Sequence, residues 1–284
     1  MTPGYPEQFY NDLADAGVDR AHQLQPAALP VYRAWVKRID ELKDRYEKNS
    51  LIRSAAFALR DNGRDAEEAH FWIGVFKESL DHAPEELSDG CWQLMDSIGR
   101  VATEENFDEM AALTEDPFYI QCMTPGYKTY FARSKDPRVP EVLRRLMEPE
   151  EVYDEGQIIL GARIAADRKF LELIPTVERL RARLEAREPG GNFDTLDDAL
   201  YRLYRARYAQ QVYAGGKASV DIPRVLADLI GVDGQRAAFA AYVLGDLKAA
   251  GALGRLRELT TSSNVRLRRE AKTAVKKLEK ASAS

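Results

Sequence analysis

Along almost the whole chain apolar residues return at intervals of three and four, and no stretch sustains the period-two alternation of a strand between turn residues. The pattern predicts helices throughout. In "ALPVYRAWVKRIDELKDRYEK", Pro30 suits a first helical turn, because its missing N–H would be unpaired there in any case. Val31, Ala34, Trp35, Ile39 and Leu42 then fall on one face of a single predicted helix. Further helices are predicted over 51–59, 66–80, 85–101 and 107–113. The breaks, "DNGRD", "DHAPEE", "TEDP", "SKDP", "REPGG" and "YAGG", carry turn chemistry. They are short, which makes successive helices antiparallel neighbours.

The pattern also repeats on a longer scale. "VPEVLRRL" (139–146), "IPTVERL" (174–180), "IPRVLADL" (222–229) and "LGRLREL" (253–259) share an apolar skeleton, with starts 35, 48 and 31 residues apart. Behind them, Ala240, Val243, Leu244 and Leu247 are matched 31 positions later by Ala271, Ala274, Val275 and Leu278. Gly156, Ile159 and Leu160 fit the same frame, which Arg163 breaks where an apolar residue is due. Each unit is therefore a Pro-started helix followed by a helix with small residues on its packing face. Ala and Gly let helix axes approach closely, and stacking buries the apolar face that one pair leaves open.

"LRREAKTAVKKL" and "RAAFAAYVLGDL", each joined to an "alPaL"-like helix at a 31-residue period, resemble HEAT repeats. They are similar to the short type found in phycobilin lyases and many bacterial proteins. The register holds over about 117–280, and "LIRSAAFALRDNG" (51–63) is a single match upstream. The resemblance implies an all-α fold, a right-handed α-solenoid of antiparallel helix pairs (an α-α superhelix). In that frame residues 1–50 form an N-terminal helical cap and 51–116 degenerate pairs. Residues 117–280 hold the repeats, with an insertion near 188–216 around "REPGGNFD", and 281–284 are a disordered tail. The resemblance further implies that the second helix of each pair lines a concave face. The subtype alone implies chromophore handling of the bilin-lyase kind, but only general repeat residues match.

Composition changes this picture little. Hydrophobic residues at 45% and charged residues at 31% fit a folded globular chain. No apolar run reaches the length of a membrane span, and "MTPGYPEQFY" lacks the segments of a signal peptide, so no membrane and a cytoplasmic location are expected. Cys91 and Cys122, with His22, His70 and His82 scattered, offer neither zinc spacing nor a disulfide framework. The two thiols are expected in the core, as are Trp35, Trp72 and Trp92, which fall on apolar helix faces. "MTPGY" recurs at 1–5 and 123–127, and each Thr-Pro reads as a helix start. Charge is uneven: residues 235–284 carry +7, which leaves −12 on the preceding 234 within a total of −5.

Two stretches are candidate binding surfaces. In "NVRLRREAKTAVKKL", Ala271, Ala274, Val275 and Leu278 should pack inward, while Arg269, Lys272, Lys276 and Lys280 form a stripe. With Arg266, Arg268 and Lys277 they would contact phosphates or an acidic partner surface, or form the solvated cap that a terminal repeat needs. In "DALYRLYRARYAQQVYAGG", Tyr201, Tyr204 and Tyr208 share a helix face, with Arg202, Arg205 and Arg207 beside them. Such interleaving can stack bases or anchor a partner, or the rings can simply pack between helices.

Catalytic signatures are missing: there is no phosphate-binding Gly loop, no metalloprotease motif and no nucleophile elbow. Neighbouring carboxylates such as Glu67 and Glu68 or Glu104 and Glu105 suit first helical turns, where negative charge meets the helix dipole. The expectation is a non-enzymatic scaffold (adaptor, assembly factor or inhibitor) that engages a protein partner, with no cofactor and no metal. Its partner-binding residues would be Tyr201, Tyr204, Arg205, Tyr208, Arg266, Arg269, Lys272 and Lys276. The other reading is a nucleic-acid-binding solenoid using residues 255–280, resembling HEAT-like DNA glycosylases. The chain lacks the overall basic charge of those enzymes, and their aromatic-plus-carboxylate site falls on no particular residues here.

Overall fold

A computed structural model describes residues 7–16, 26–42, 45–82, 88–115, 126–148 and 155–282, and its regular elements are all α- or 3-10 helices. The two Thr-Pro helix starts, the predicted start at 85, Cys122, His22 and residues 283–284 lie outside the described residues. The chain forms two compact units, Met1–Leu200 and Tyr201–Ser284. No helix among the described residues is long and apolar enough to cross a membrane.

The first unit begins with α1 (Glu7–Asp15) and α2 (Leu29–Val36). Phe9 and Leu13 are fully buried, and Phe9 meets Trp35 edge-on with ring centroids 5.4 Å apart. The single helix expected from 30 onward is interrupted. α2 ends at Val36, a 3-10 turn occupies Ile39–Glu41, Leu42 is extended, and α3 spans Arg45–Arg60. At the break Arg38 holds Glu41 through two hydrogen bonds of 2.8 and 2.6 Å, and its guanidinium lies 4.5 Å from the Trp35 ring. The inward face of α2 is correspondingly Leu29, Tyr32, Trp35 and Val36, and Ala34 is exposed.

Next come α4 (Ala66–His82), α5 (Ser88–Val101), α6 (Phe107–Ala112) and α7, helical over 126–131. They are followed by α8 (Val139–Met147), α9 (Glu155–Arg168), α10 (Ile174–Arg187) and α11 (Asp194–Val212). Proline occupies the first turn of α2, α8, α10 and, in the second unit, α12, as the sequence predicts. α3 packs on α5, α4 on α5, and α8 on both α9 and α10. Trp35, Trp72 and Cys91 are buried, but Trp92 is 47% exposed and does not belong to the core. The reason is helical phase. Cys91, Leu94, Met95 and Ile98 form the buried stripe of α5, and Trp92 lies roughly 110° from its centre at about 100° per residue.

Small residues set the spacing. A Cβ on Gly99 would lie 2.6 Å from the Gly126 carbonyl oxygen, and one on Gly126 would lie 2.7 Å from that of Met95, so α5 and α7 meet backbone to backbone. A Cβ on Gly90 would lie 2.4 Å from Asn49 Oδ1, on the seam between α5 and α3.

Arginines tie each pair to the one before. Arg133 donates to the carbonyls of Gly99, Arg100 and Ala102 at 2.6, 3.0 and 2.6 Å. Arg168 does the same for Phe131, Ala132 and Ser134 at 3.1, 3.3 and 2.6 Å. Arg183 of α10 reaches Met147 and Glu148 at the end of α8, at 2.9 and 2.8 Å. Helix-terminal carbonyls that have no partner within their own helix are thereby satisfied.

In the second unit, after the end of α11, come α12 (Ile222–Ile230), α13 (Gly234–Asp246), α14 (Leu253–Leu259) and α15 (Val265–Ser282). α12 pairs with α13, α14 with α15, and α13 lies along α15. The contact between these second helices is made by the predicted residues: Ala240, Val243, Leu244, Ala271, Ala274 and Leu278 are buried in one core. A Cβ on Gly245 would lie 2.7 Å from both Cα and Cβ of Ala274. Even the helix starts keep the period. Asp233 accepts from the amides of Gln235 and Arg236, and 31 residues later Asn264 accepts from that of Leu267 at 3.0 Å.

Two glycine substitutions separate packing from propensity. Gly99→Ala should lower stability by about 1–3 kcal/mol, because the atom it meets is backbone and cannot swing aside. Gly254→Ala, in α14 with nothing within 4 Å, should raise it by about 0.5 kcal/mol. Urea unfolding followed by circular dichroism reads both.

Candidate functional site

The residues singled out at 201–208 and 266–276 belong to the same unit, and the fold brings part of them together. Tyr201 of α11 is fully buried, and its hydroxyl donates to Glu270 Oε1 of α15 at 3.3 Å. Arg205, one turn on, donates to the same oxygen at 2.6 Å. Above the Tyr201 ring lie the guanidinium groups of Arg266, at 4.6 Å from the centroid, and Arg269, at 5.7 Å. Arg205 also covers the ring of Tyr242 at 4.4 Å, and the Lys277 ammonium approaches that ring to 5.4 Å. The result is a patch of four cations over two aromatic faces, with the buried Glu270 beneath them.

Four expected residues meet here: Tyr201, Arg205, Arg266 and Arg269. The other four do not. Tyr204 packs under Arg207 at 4.9 Å. Tyr208 is core: its ring lies 5.9 Å from that of Phe239, and its hydroxyl donates to Asp228 at 2.7 Å. Lys272 and Lys276 are exposed on α15. At about 100° per residue Lys276 and Lys272 lie roughly 20° and 60° around the helix from Arg269, on the same flank but about 10 and 5 Å further along the axis. The basic stripe is thus one face of α15, and Arg269, at its N-terminal end, meets the Tyr201 ring. Tyr242, Lys277 and Glu270 complete the patch. The signal for Glu270 is legible afterwards, as a lone acid within "VRLRREAKTAVKK".

One arrangement recurs through the unit. Tyr201 with Glu270 and Arg205, Tyr208 with Asp228 and Arg236, and Tyr213 with Asp246 and Lys217 each join a phenol, a carboxylate and a cation. Burial pushes the phenols of Tyr201, Tyr208 and Tyr213 well above their usual range, and the nearby carboxylate adds to the effect. They therefore act as hydrogen-bond donors. The hydrogen bond from Lys217 holds the Asp246 carboxyl below its usual range, against burial and with help from Tyr213.

Chemically the patch can bind. Stacking uses the face of a guanidinium and leaves its N–H edge suited to a carboxylate or phosphate. No group of His, Cys, Asp and Glu among the described residues could hold a metal ion. Comparison of the chain with protein-family models and with curated protein sequences finds no match.

Glu270 is the structural keystone of the patch. Glu270→Ala should destabilise the protein by about 3 kcal/mol, since it strands Arg205 and the buried Tyr201 hydroxyl, and Glu270→Gln by less. Chemical denaturation of both variants measures the difference. Asp246 makes a pH-dependent contribution: its stabilisation is present above the unfolded carboxyl pKa of about 3.9 and fades as pH falls through the lower folded value. Asp246→Asn should accordingly flatten the acid limb of a stability-versus-pH curve below about pH 4.

Proposed function

We propose that the chain is a non-enzymatic binding protein, built from HEAT-like helix pairs in the manner of a right-handed α-solenoid, and that it engages an acidic segment of a protein partner. The solenoid reading is supported inside each unit by recurrent devices: Pro-started first helices, glycine and alanine contacts between second helices, and the matched caps at Asp233 and Asn264.

The observation that carries the binding reading is the convergence of Arg205, Arg266, Arg269 and Lys277 on the rings of Tyr201 and Tyr242, around the buried carboxylate of Glu270, which pairs with Arg205 at 2.6 Å and Arg269 at 3.9 Å. Excess positive charge on an aromatic platform suits a partner carboxylate, and Arg and Tyr are the residues in which binding energy concentrates. The basic end also favours phosphates. The −12 carried by residues 1–234 opposes a long polyanion such as a duplex.

Fluorescence anisotropy with a labelled acidic peptide containing aromatic residues, run beside a short DNA duplex, tests this. The peptide should bind, and Arg266→Glu with Arg269→Glu should weaken it about tenfold or more, whereas Lys272→Glu with Lys276→Glu should change it about twofold at most. Duplex binding that is tighter than peptide binding and collapses with salt would replace the protein partner by nucleic acid. Binding of neither ligand would remove the patch as a site.

A further inference from the structure

The seam between α3 and α5, in the first unit, holds a second surface with its own chemistry. Phe57 and Arg60 of α3, with Trp92, Gln93 and Asp96 of α5, line a pocket of about 250 Å³. Trp92 is 47% exposed there, while Trp35 and Trp72 are buried. Two side-chain carbonyl oxygens on this seam, Gln93 Oε1 and Asn49 Oδ1, are buried yet accept no hydrogen bond from the described residues. Asn49 meets α5 at Gly90, one turn before Gln93. Arg53, Phe57 and Arg60 follow one another at helical spacing on α3, and neither exposed arginine forms an ion pair among the described residues.

We propose that this pocket receives one large apolar side chain of a protein segment, with a carboxylate of the same segment pairing with Arg60 and an N–H of that segment donating to Gln93 Oε1. The proposal rests on the reading of the chain as a protein-binding module but uses a different site. The volume falls below the roughly 300–1,000 Å³ of a cofactor or drug-sized pocket and matches a single side chain. Half-exposed Trp92 beside Phe57 provides the aromatic wall that concentrates binding energy in a hot spot. A buried acceptor without a donor is costly, and an incoming N–H relieves that cost. The charge on Arg60 selects an acid. Asp96 on the same wall does not cancel that charge, because it is already engaged by Arg100 at 3.0 Å and Thr129 at 3.2 Å.

A random peptide library panned on the full chain, with depletion on the Trp92→Ala variant, provides the test. Enriched peptides should carry an aromatic or leucine residue next to Asp or Glu, and should lose about tenfold or more in affinity for Trp92→Ala and for Arg60→Glu. Since Trp35 and Trp72 are buried, acrylamide quenching reports on Trp92, and a bound peptide should lower it. Gln93→Leu gives a readout independent of folding: it should leave the melting temperature unchanged or higher, because an orphaned acceptor is removed, and still weaken the peptides several-fold. The idea is overturned if no peptide is enriched, if enriched peptides bind Trp92→Ala equally well, or if a short single-stranded oligonucleotide shields Trp92 and the peptides do not. Peptides that bind here should be indifferent to Arg266→Glu with Arg269→Glu. Loss of the second-unit site would therefore leave this one standing, and the reverse.

Discussion

The close approach of helices at glycine and alanine is the constraint on which the structure depends. Where α5 meets α7 the Gly99 Cα faces the backbone of Gly126, and where α13 meets α15 Gly245 faces Ala274. A helix ordinarily keeps its neighbour 8–10 Å away because side chains intervene. Removing them brings polar backbone and small methyl groups into direct contact, and dispersion across that seam replaces the interlocking of large side chains. In the second unit larger residues fill the core around these contacts: Val243 and Leu244 of α13, Val225 and Leu229 of α12, and Leu256 of α14 share one cluster with the alanines.

Polar chemistry in the second unit follows from the same geometry. With alanine at the helix seam, the longer side chains of α11, α13 and α15 are left to cover the edge of the core, and they do so as tyrosine, carboxylate and cation. Each carboxylate in these groups is shared by a phenol and a cation, so its charge and most of its lone pairs are satisfied. Exposed ion pairs contribute little, but Glu270 is 4% exposed, where an unpartnered charge is expensive. The candidate site is therefore the outer layer of a structural cluster, and its cations are oriented by contacts that also hold the unit together.

How much of this was legible in the sequence depended on range. Helix starts at Pro140, Pro175 and Pro223 were readable because the fixed φ of proline is a local property. The 31-residue match of Ala240 with Ala271 was readable because equivalent residues in neighbouring pairs meet equivalent surroundings. The end of α2 was not, since apolar spacing continues through Ile39 and Leu42 while the backbone turns to 3-10 at Ile39–Glu41 and is extended at Leu42. The different surroundings of the stripe's residues were equally hidden. Arg269 and Lys272 are three residues apart, yet only Arg269 turns toward a ring, and that ring belongs to a helix more than sixty residues earlier. Trp92 was misread because being next to an apolar stripe and being in it differ by about 100° of helical phase.

The arginines at 133, 168 and 183 all point backward along the chain, toward carbonyls made about thirty residues earlier. During synthesis an emerging helix pair would therefore wait, with its terminal carbonyls hydrated, until the ribosome had supplied the arginine of the next. Assembly is in that sense vectorial: each newly made segment closes the hydrogen-bonding account of its predecessor, and the most recent pair is always the least complete.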